Sequence, residues 1–234
     1  VKSIEALNKF IDIKKQAEAA IPTPWGVFNM IAFSGSEDDW MPHLALVHEH
    51  FDPSQPVLTR IHSECITGDL FGSARCECGE QLHKSMELTA KARGIVLYLR
   101  QEGRGIGIIN KLKAYNLQDL GYNTIEANLQ LHLPIDARSY EVAVQMLESI
   151  GVSRIRLLTN NPDKIEAIDQ SPVEVVERIP LVIDPRPENE NYLRTKQEEM
   201  GHFIEVRSEG VRSEGVRSER VPVRNEESTP NGKR

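Results

Sequence analysis

Cysteine is scarce in this 234-residue chain: there are three, Cys65, Cys76 and Cys78, all within the fifteen positions of CITGDLFGSARCECG. An odd number in one cluster argues against a paired disulfide framework. Long apolar runs are missing as well. No stretch approaches the ~20 apolar residues of a membrane-spanning helix. The start, VKSIEALNKFIDIKKQAEAAIP, has no continuous apolar centre of the kind a secretory signal carries. A cytoplasmic protein with reduced thiols is the expectation. Excess positive charge is absent too, since the net charge is −7. Residues 206–234 hold seven basic and five acidic side chains, a balance of +2, which leaves −9 for residues 1–205. An acidic body gives no long-range attraction for nucleic acid. A small anionic ligand is still allowed, because it responds to the local field of its pocket. Neither nucleic acid nor membrane is an expected partner.

What is present describes an ordinary globular protein, with 39% hydrophobic and 27% charged residues. Ile4, Leu7, Phe10, Ile11 and Ile13 recur at near-helical spacing, which predicts an N-terminal helix over residues 1–21. The last segment repeats VRSEG, VRSEG, VRSER and continues as VPVRNEESTPNGKR. A five-residue period fits neither helix nor strand, and so polar a segment cannot offset its ordering entropy. It is expected to be a disordered tail, 206–234, with a docking arm as the alternative.

Between these ends strand and helix signals alternate. Strands are predicted over 56–62, 94–99, 154–159 and 174–183, and helices over 79–92, 105–121 and 140–151. Ile106, Ile109, Leu112, Leu117 and Leu120 place apolar groups mainly on one side of the second helix. Asn161 followed by Pro162 marks the start of a further helix. Strands separated by helices imply an α/β fold, a mixed β-sheet flanked by helices, in one domain over 1–205.

Four stretches carry chemistry. Cys76 and Cys78 bring two sulfurs into one turn, and Cys65 lies eleven residues earlier. Thiolates are preferred zinc ligands, and Arg60 and Arg75 nearby favour the thiolate form. Three ligands leave an open position, the catalytic pattern; His62 or His83 would close it. Three packed free thiols remain the alternative, and spacing does not decide between open and closed. Second, LYLRQEGRGIGIINK runs from a buried strand through a glycine-rich loop into a helix, an anion-binding junction with Arg100, Glu102 and Arg104. A carboxylate there is suited to the N1–H and 2-amino group of guanine. GRGIG is not a full dinucleotide fingerprint, although Glu126 follows at about the right distance. Third, Asp136 and Arg138 precede a helix, where an aspartate is commonly a cap. Fourth, RLLTNNPDK sets Thr159 and Lys164 at a helix start, which suits either phosphate or a capping turn. HEH at 48–50 has no further ligand beside it and is expected at the surface.

Taken together, RIHSECITGDLFGSARCECGEQL, YLRQEGRGIGIINKLKAYNLQDLGY, TIEAN and RLLTNNPDK closely resemble the GTP cyclohydrolase II family, from about PTPWG at 22–26 to KQEEMGH at 196–202. The resemblance implies a zinc-dependent hydrolase that converts GTP to formate, pyrophosphate and a diaminopyrimidinone, the first step of riboflavin biosynthesis. It implies that Cys65, Cys76 and Cys78 hold Zn²⁺, with water in the open position. It implies GTP contacts from Arg60, Ile61, His62, Ser63, Glu64, Gln81, Glu102, Gly103, Arg104, Thr124, Thr159 and Lys164. Asp136 matches the proton acceptor, Arg138 the nucleophile toward the α-phosphate, and Tyr115 a tyrosine near the purine. An electrostatic role for Arg138 fits the same position. Mg²⁺ is expected with the phosphates, and a homodimer as the assembly. HLPIDARSY is less rich in small residues than the family pattern, and the repeat tail lies outside it. Many relatives carry a preceding domain that makes the four-carbon riboflavin precursor; with only twenty-odd residues before PTPWG, that activity is expected to be absent. The alternatives are a paralogue acting on a related purine nucleotide or stopping at the formylated intermediate, and a non-enzymatic zinc module.

Overall fold

The computed structural model describes residues 12–184 together with Gln197, Gly201 and Phe203. Most of the expected first helix, residues 1–11, and the tail at 206–234 lie outside the described residues. Seven strands form one sheet: β1 (Lys14–Thr23), β2 (Gly26–Ser34), β3 (His43–His48), β4 (Val57–Ser63), β5 (Ile95–Leu99), β6 (Arg154–Leu158) and β7 (Glu174–Ile179). The helices are α1 (Ile66–Asp69), α2 (Cys78–Ala92), α3 (Gly107–Asp119), α4 (Thr124–Gln130), α5 (Glu141–Ile150) and α6 (Pro162–Asp169).

The strand order is β1-β2-β3-β5-β4-β6-β7. β1, β2, β3 and β5 pair antiparallel, whereas β5, β4, β6 and β7 are mutually parallel. The sheet is therefore mixed and flanked by helices, as expected. β4 passes through α2 to β5 on one side of it, and the later chain returns to β6 on its other side. Such a reversal opens a crevice at the carboxyl ends of the strands, where ligands bind in open α/β sheets.

One expected element is different. Residues 14–23 are strand β1, not the second half of a helix. Lysine, alanine and glutamate there favour a helix by propensity, but Pro22 and Pro24 end one, and the ladder to β2 takes up the backbone groups instead. The turn is closed by Thr23, whose hydroxyl donates to the Gly26 carbonyl at 2.7 Å. Strands β2 and β3 had no clear signal of their own.

Side-chain alternation along β4 sets up the site. Val57 and Ile61 join the main core with Ile95, Leu97, Leu99, Met146, Leu147, Ile155, Leu157 and Ile168, under α5 and α6. Leu58 faces the other way, and Val96 packs with Phe28 and Met86 of α2. Period-two geometry puts Arg60 and His62 on that second face. The α3 helix breaks the usual pattern. Of its residues only Lys111 and Ala114 are buried, while Ile109 is 70% exposed and Leu120, just beyond, 77%. The apolar row read from the sequence does not enter the core of this chain. Among the described residues no helix is long and apolar enough to cross a membrane.

Candidate active site

Three loops meet at the carboxyl ends of β4, β5 and β6. The parallel register sets Ser63 opposite Leu99, and the Glu64 N–H extends the ladder to the Leu99 carbonyl at 2.9 Å. The cysteine loop after β4 and the glycine-rich loop after β5 therefore leave the sheet side by side.

The cysteine sulfurs converge. The Sγ atoms of Cys65, Cys76 and Cys78 all lie within 4.8 Å of one another, with Cys65 and Cys76 at 3.6 Å. Tetrahedral zinc with bonds of ~2.3 Å sets its sulfurs about 3.8 Å apart, so the three thiols fit such an ion. Gly68 makes room for them: a Cβ on it would stand 2.9 Å from the Cys76 sulfur and 3.2 Å from that of Cys65. Neither histidine that could have closed the site joins the group. His62 Nε2 is held at 3.0 Å from both oxygens of Asp69, and the His83 ring lies against Trp25. Asp69 also accepts from the Cys65 N–H and the Tyr98 hydroxyl, each at 2.9 Å. Cys65 takes the negative charge most readily, because the thiols of Cys76 and Cys78 and the Lys111 ammonium all hydrogen-bond to it. The other two thiols are pushed up, Cys65 being the first cause for each.

The glycine-rich loop contains consecutive left-handed residues, with φ +61° at Gly103, +59° at Arg104 and +86° at Gly105. A Cβ at Gly105 would meet the Ala137 carbonyl at 3.0 Å, and the Ala137 N–H donates to the Arg104 carbonyl at 3.0 Å. The Asp136–Arg138 loop is thereby laid directly on the glycine-rich one. Asp136 does not cap α5, which begins after Tyr140. Its carboxylate accepts from the Arg138 backbone N–H at 3.0 Å and from Nε at 2.9 and 3.0 Å, with a further short bond from the guanidinium. Burial alone would raise the Asp136 carboxyl, but these bonds and the charge of Arg138 hold it below its ordinary value.

At β6, Thr159 accepts the Asn161 N–H at 3.0 Å, and Asn161 caps α6 through the Asp163 N–H at 2.8 Å. Lys164 is buried and donates to the Ile61 carbonyl at 2.8 Å. Arg60 crosses between the elements, donating to the Leu158 carbonyl at 3.1 Å and to Gln81 at 2.9 Å. Burial pushes it down to about 10, so it remains charged at neutral pH. Tyr115 on α3 has the Arg75 guanidinium 4.8 Å over its ring and is pushed up to about 12 by burial. Its hydroxyl stays protonated and able to donate.

A single cleft brings together Arg60, His62, Ser63, Glu64, the three cysteines, Gln81, Gly103, Arg104, Tyr115, Thr124, Arg138, Thr159 and Lys164. Three expected site residues do not line it. Ile61 is fully buried in the main core, on the face of β4 opposite Arg60 and His62; it offers its carbonyl to Lys164 instead. Asp136 stands behind Arg138. Glu102 turns inward: it accepts from Ile66 N–H at 2.6 Å and from Gly103 N–H and Lys111 at 2.8 Å each. Glu126 belongs to a capping box with Asn123 and not to a ribose site. His50 is exposed, as expected of HEH. Lys111 and Asp69 were not singled out by sequence reading. A lysine amid the apolar residues of IINKLKAY was the available signal for the first.

Residues 14–180 match the family model described as GTP cyclohydrolase II. A protein of Shewanella sediminis named GTP cyclohydrolase-2 is 50% identical over 195 residues, covering 83% of this chain and 95% of that protein. A Bacillus cereus protein named Riboflavin biosynthesis protein RibBA is 47% identical over 193 residues, covering 82% of this chain and 48% of that one. Among solved structures, RibBX, a two-domain 3,4-dihydroxy-2-butanone 4-phosphate synthase from A. baumannii, aligns over 72% of this chain and 40% of its own at 19% identity, with a TM-score of 0.40. So slight a likeness bears on neither fold nor function.

The metal fit can be tested at Gly68. Gly68→Ala is expected to weaken zinc binding by about tenfold or more, read as zinc retained after dialysis against a chelator. Zinc content equal to that of the unaltered protein would contradict the account of the cradle.

Proposed function

This chain belongs to the GTP cyclohydrolase II family, and on that premise we propose how its cleft carries out the family's hydrolysis of GTP in riboflavin biosynthesis. The observation that carries the reading is the opening of the cysteine trio into the same cleft as Arg138, Lys164 and the glycine-rich loop. The overall reaction releases pyrophosphate, opens the imidazole ring and expels C8 as formate. Cys65, Cys76 and Cys78 would hold a zinc ion. When bound, zinc supplies an acidified water for hydrolysis at neutral pH.

The chain's own residues do the rest. Arg60, Arg104, Arg138 and Lys164 line the cleft and would present four cations to a triphosphate, against a body whose net charge is negative. Charge held in place before reaction stabilises a departing pyrophosphate without reorganisation, and Mg²⁺ accompanies the phosphates. We assign to Arg138 the contact with the α-phosphate. To Asp136 we assign the orientation of Arg138, whose charge the carboxylate preserves; the paired hydrogen bonds between them support this. Tyr115 acts as a hydrogen-bond donor near the purine ring. Gln81, Thr124 and Thr159 border the nucleotide, with His62, Ser63 and Glu64 toward the metal. Glu102 and Ile61 act from outside the cleft, through the loops they hold. Free cysteines at the centre suit a cytoplasmic setting.

The assembly is a homodimer. Ile109 and Leu112 on α3, Leu120 beyond it and Leu129 on α4 present exposed apolar groups that a second copy would cover. Sedimentation is expected to give about twice the chain mass of 26.4 kDa. A monomer at all concentrations would contradict this.

Purified protein is expected to hold about one zinc per chain and to convert GTP to formate, pyrophosphate and a diaminopyrimidinone. Metal-replete protein that yields no formate would overturn the reading. Cys76→Ser is expected to abolish formate while pyrophosphate is still released, as judged by assaying both products. Loss of both together would contradict the separation of metal and phosphate chemistry.

A further inference from the structure

One charged group in the cleft has no part in the chemistry above. Lys111 lies in the middle of α3 and is 9% exposed. Its Nζ is 3.0 Å from Cys65 Sγ and 2.8 Å from Glu102 Oε1. A buried ammonium is costly unless paired and hydrogen-bonded, and both of its partners come from the loops that form the site. Glu102 extends the connection: Oε1 also accepts from Gly103 N–H at 2.8 Å, and Oε2 from Ile66 N–H at 2.6 Å. Three segments thus close on one pair of charges. They are the cysteine loop at Cys65 and Ile66, the glycine-rich loop at Glu102 and Gly103, and α3 at Lys111.

Resting on the family reading above, we propose that Lys111 is a positioning residue of the metal centre, whose ammonium, anchored by Glu102, hydrogen-bonds the Cys65 sulfur and locks the metal loop to the nucleotide loop. The geometry has two consequences. Lys111 occupies one acceptor direction of the Cys65 sulfur, which narrows the directions left for a metal. Three thiolates also outweigh a divalent ion in charge, and an ammonium on one of the sulfurs offsets the excess. Groups that orient metal ligands in this way commonly change metal affinity by about 10- to 100-fold when removed.

The test uses the full chain and reads the metal rather than turnover. Zinc affinity is measured by competition with a chromophoric chelator, and the cobalt-substituted protein gives the thiolate-to-metal charge-transfer band. Lys111→Met keeps the length and loses the charge. It is expected to weaken zinc binding by about tenfold or more and to shift the cobalt band. Lys111→Arg is expected to restore most of both, which a purely space-filling role would not require. Should Lys111→Met fail to fold, Glu102→Gln removes the anchor with little change in shape and is expected to shift the same two readings in the same direction. Unchanged zinc affinity and an unchanged band in the folded variant, whichever of the two is used, would overturn the proposal. Unaltered protein that binds no zinc would instead overturn the metal reading on which it rests.

Discussion

Everything at the site hangs on the parallel pairing of β4 with β5. An antiparallel partner would send its following loop to the opposite edge of the sheet. Parallel pairing, with Ser63 opposite Leu99, makes both strands end together. The cysteine loop and the glycine-rich loop then start a few ångströms apart, and β6, parallel on the other side of β4, adds Thr159 and α6 to the same edge. The helical crossover that such pairing needs is α2, and it is not a passive spacer. Its first residue is Cys78, and Gln81 one turn on receives Arg60. One connection closes the sheet, supplies one of the three converging cysteines and fixes a cation.

Polar contacts then hold the loops where the sheet delivers them. Asp69 ties the Cys65 backbone to His62 and Tyr98 beneath it. Glu102 ties the Ile66 backbone to the neighbouring loop and to Lys111. Gly105 lets the Asp136–Arg138 loop lie flat on top, and Asp136 aims Arg138. In each case a carboxylate that looks available for catalysis is turned away from the cleft and serves a group that faces it. The cleft lining itself is rich in cations although the chain carries net negative charge.

Much of this was legible in the order of residues. Clustered cysteines, the strand-to-glycine junction and the Asn-Pro start of α6 are local signals, and each stands where it was expected. What was not legible depends on partners distant in sequence. Residues 14–23 favour a helix until β2 offers a ladder. β2 and β3 lie between loops with little patterning of their own. Ile61 sits in a run of residues resembling a ligand-binding strand end, but alternation sends its side chain to the opposite face. Glu102 has the chemistry to bind guanine, and its carboxylate is held by Lys111 and two backbone N–H groups, partners that no rule of spacing reveals. On α3 periodicity shows an apolar face without saying what covers it, and Ile109 and Leu120 stand exposed.

The central claim is that the three cysteines form an open metal centre sharing one cleft with the nucleotide. Zinc X-ray absorption on the purified protein, with and without a non-hydrolysable GTP analogue, tests it most directly. The account predicts three sulfurs at about 2.3 Å and one oxygen or nitrogen neighbour in the free protein. The sulfur shell should persist on adding the analogue while the light-atom shell changes. Fewer than three sulfurs, or a spectrum indifferent to the analogue, would contradict it.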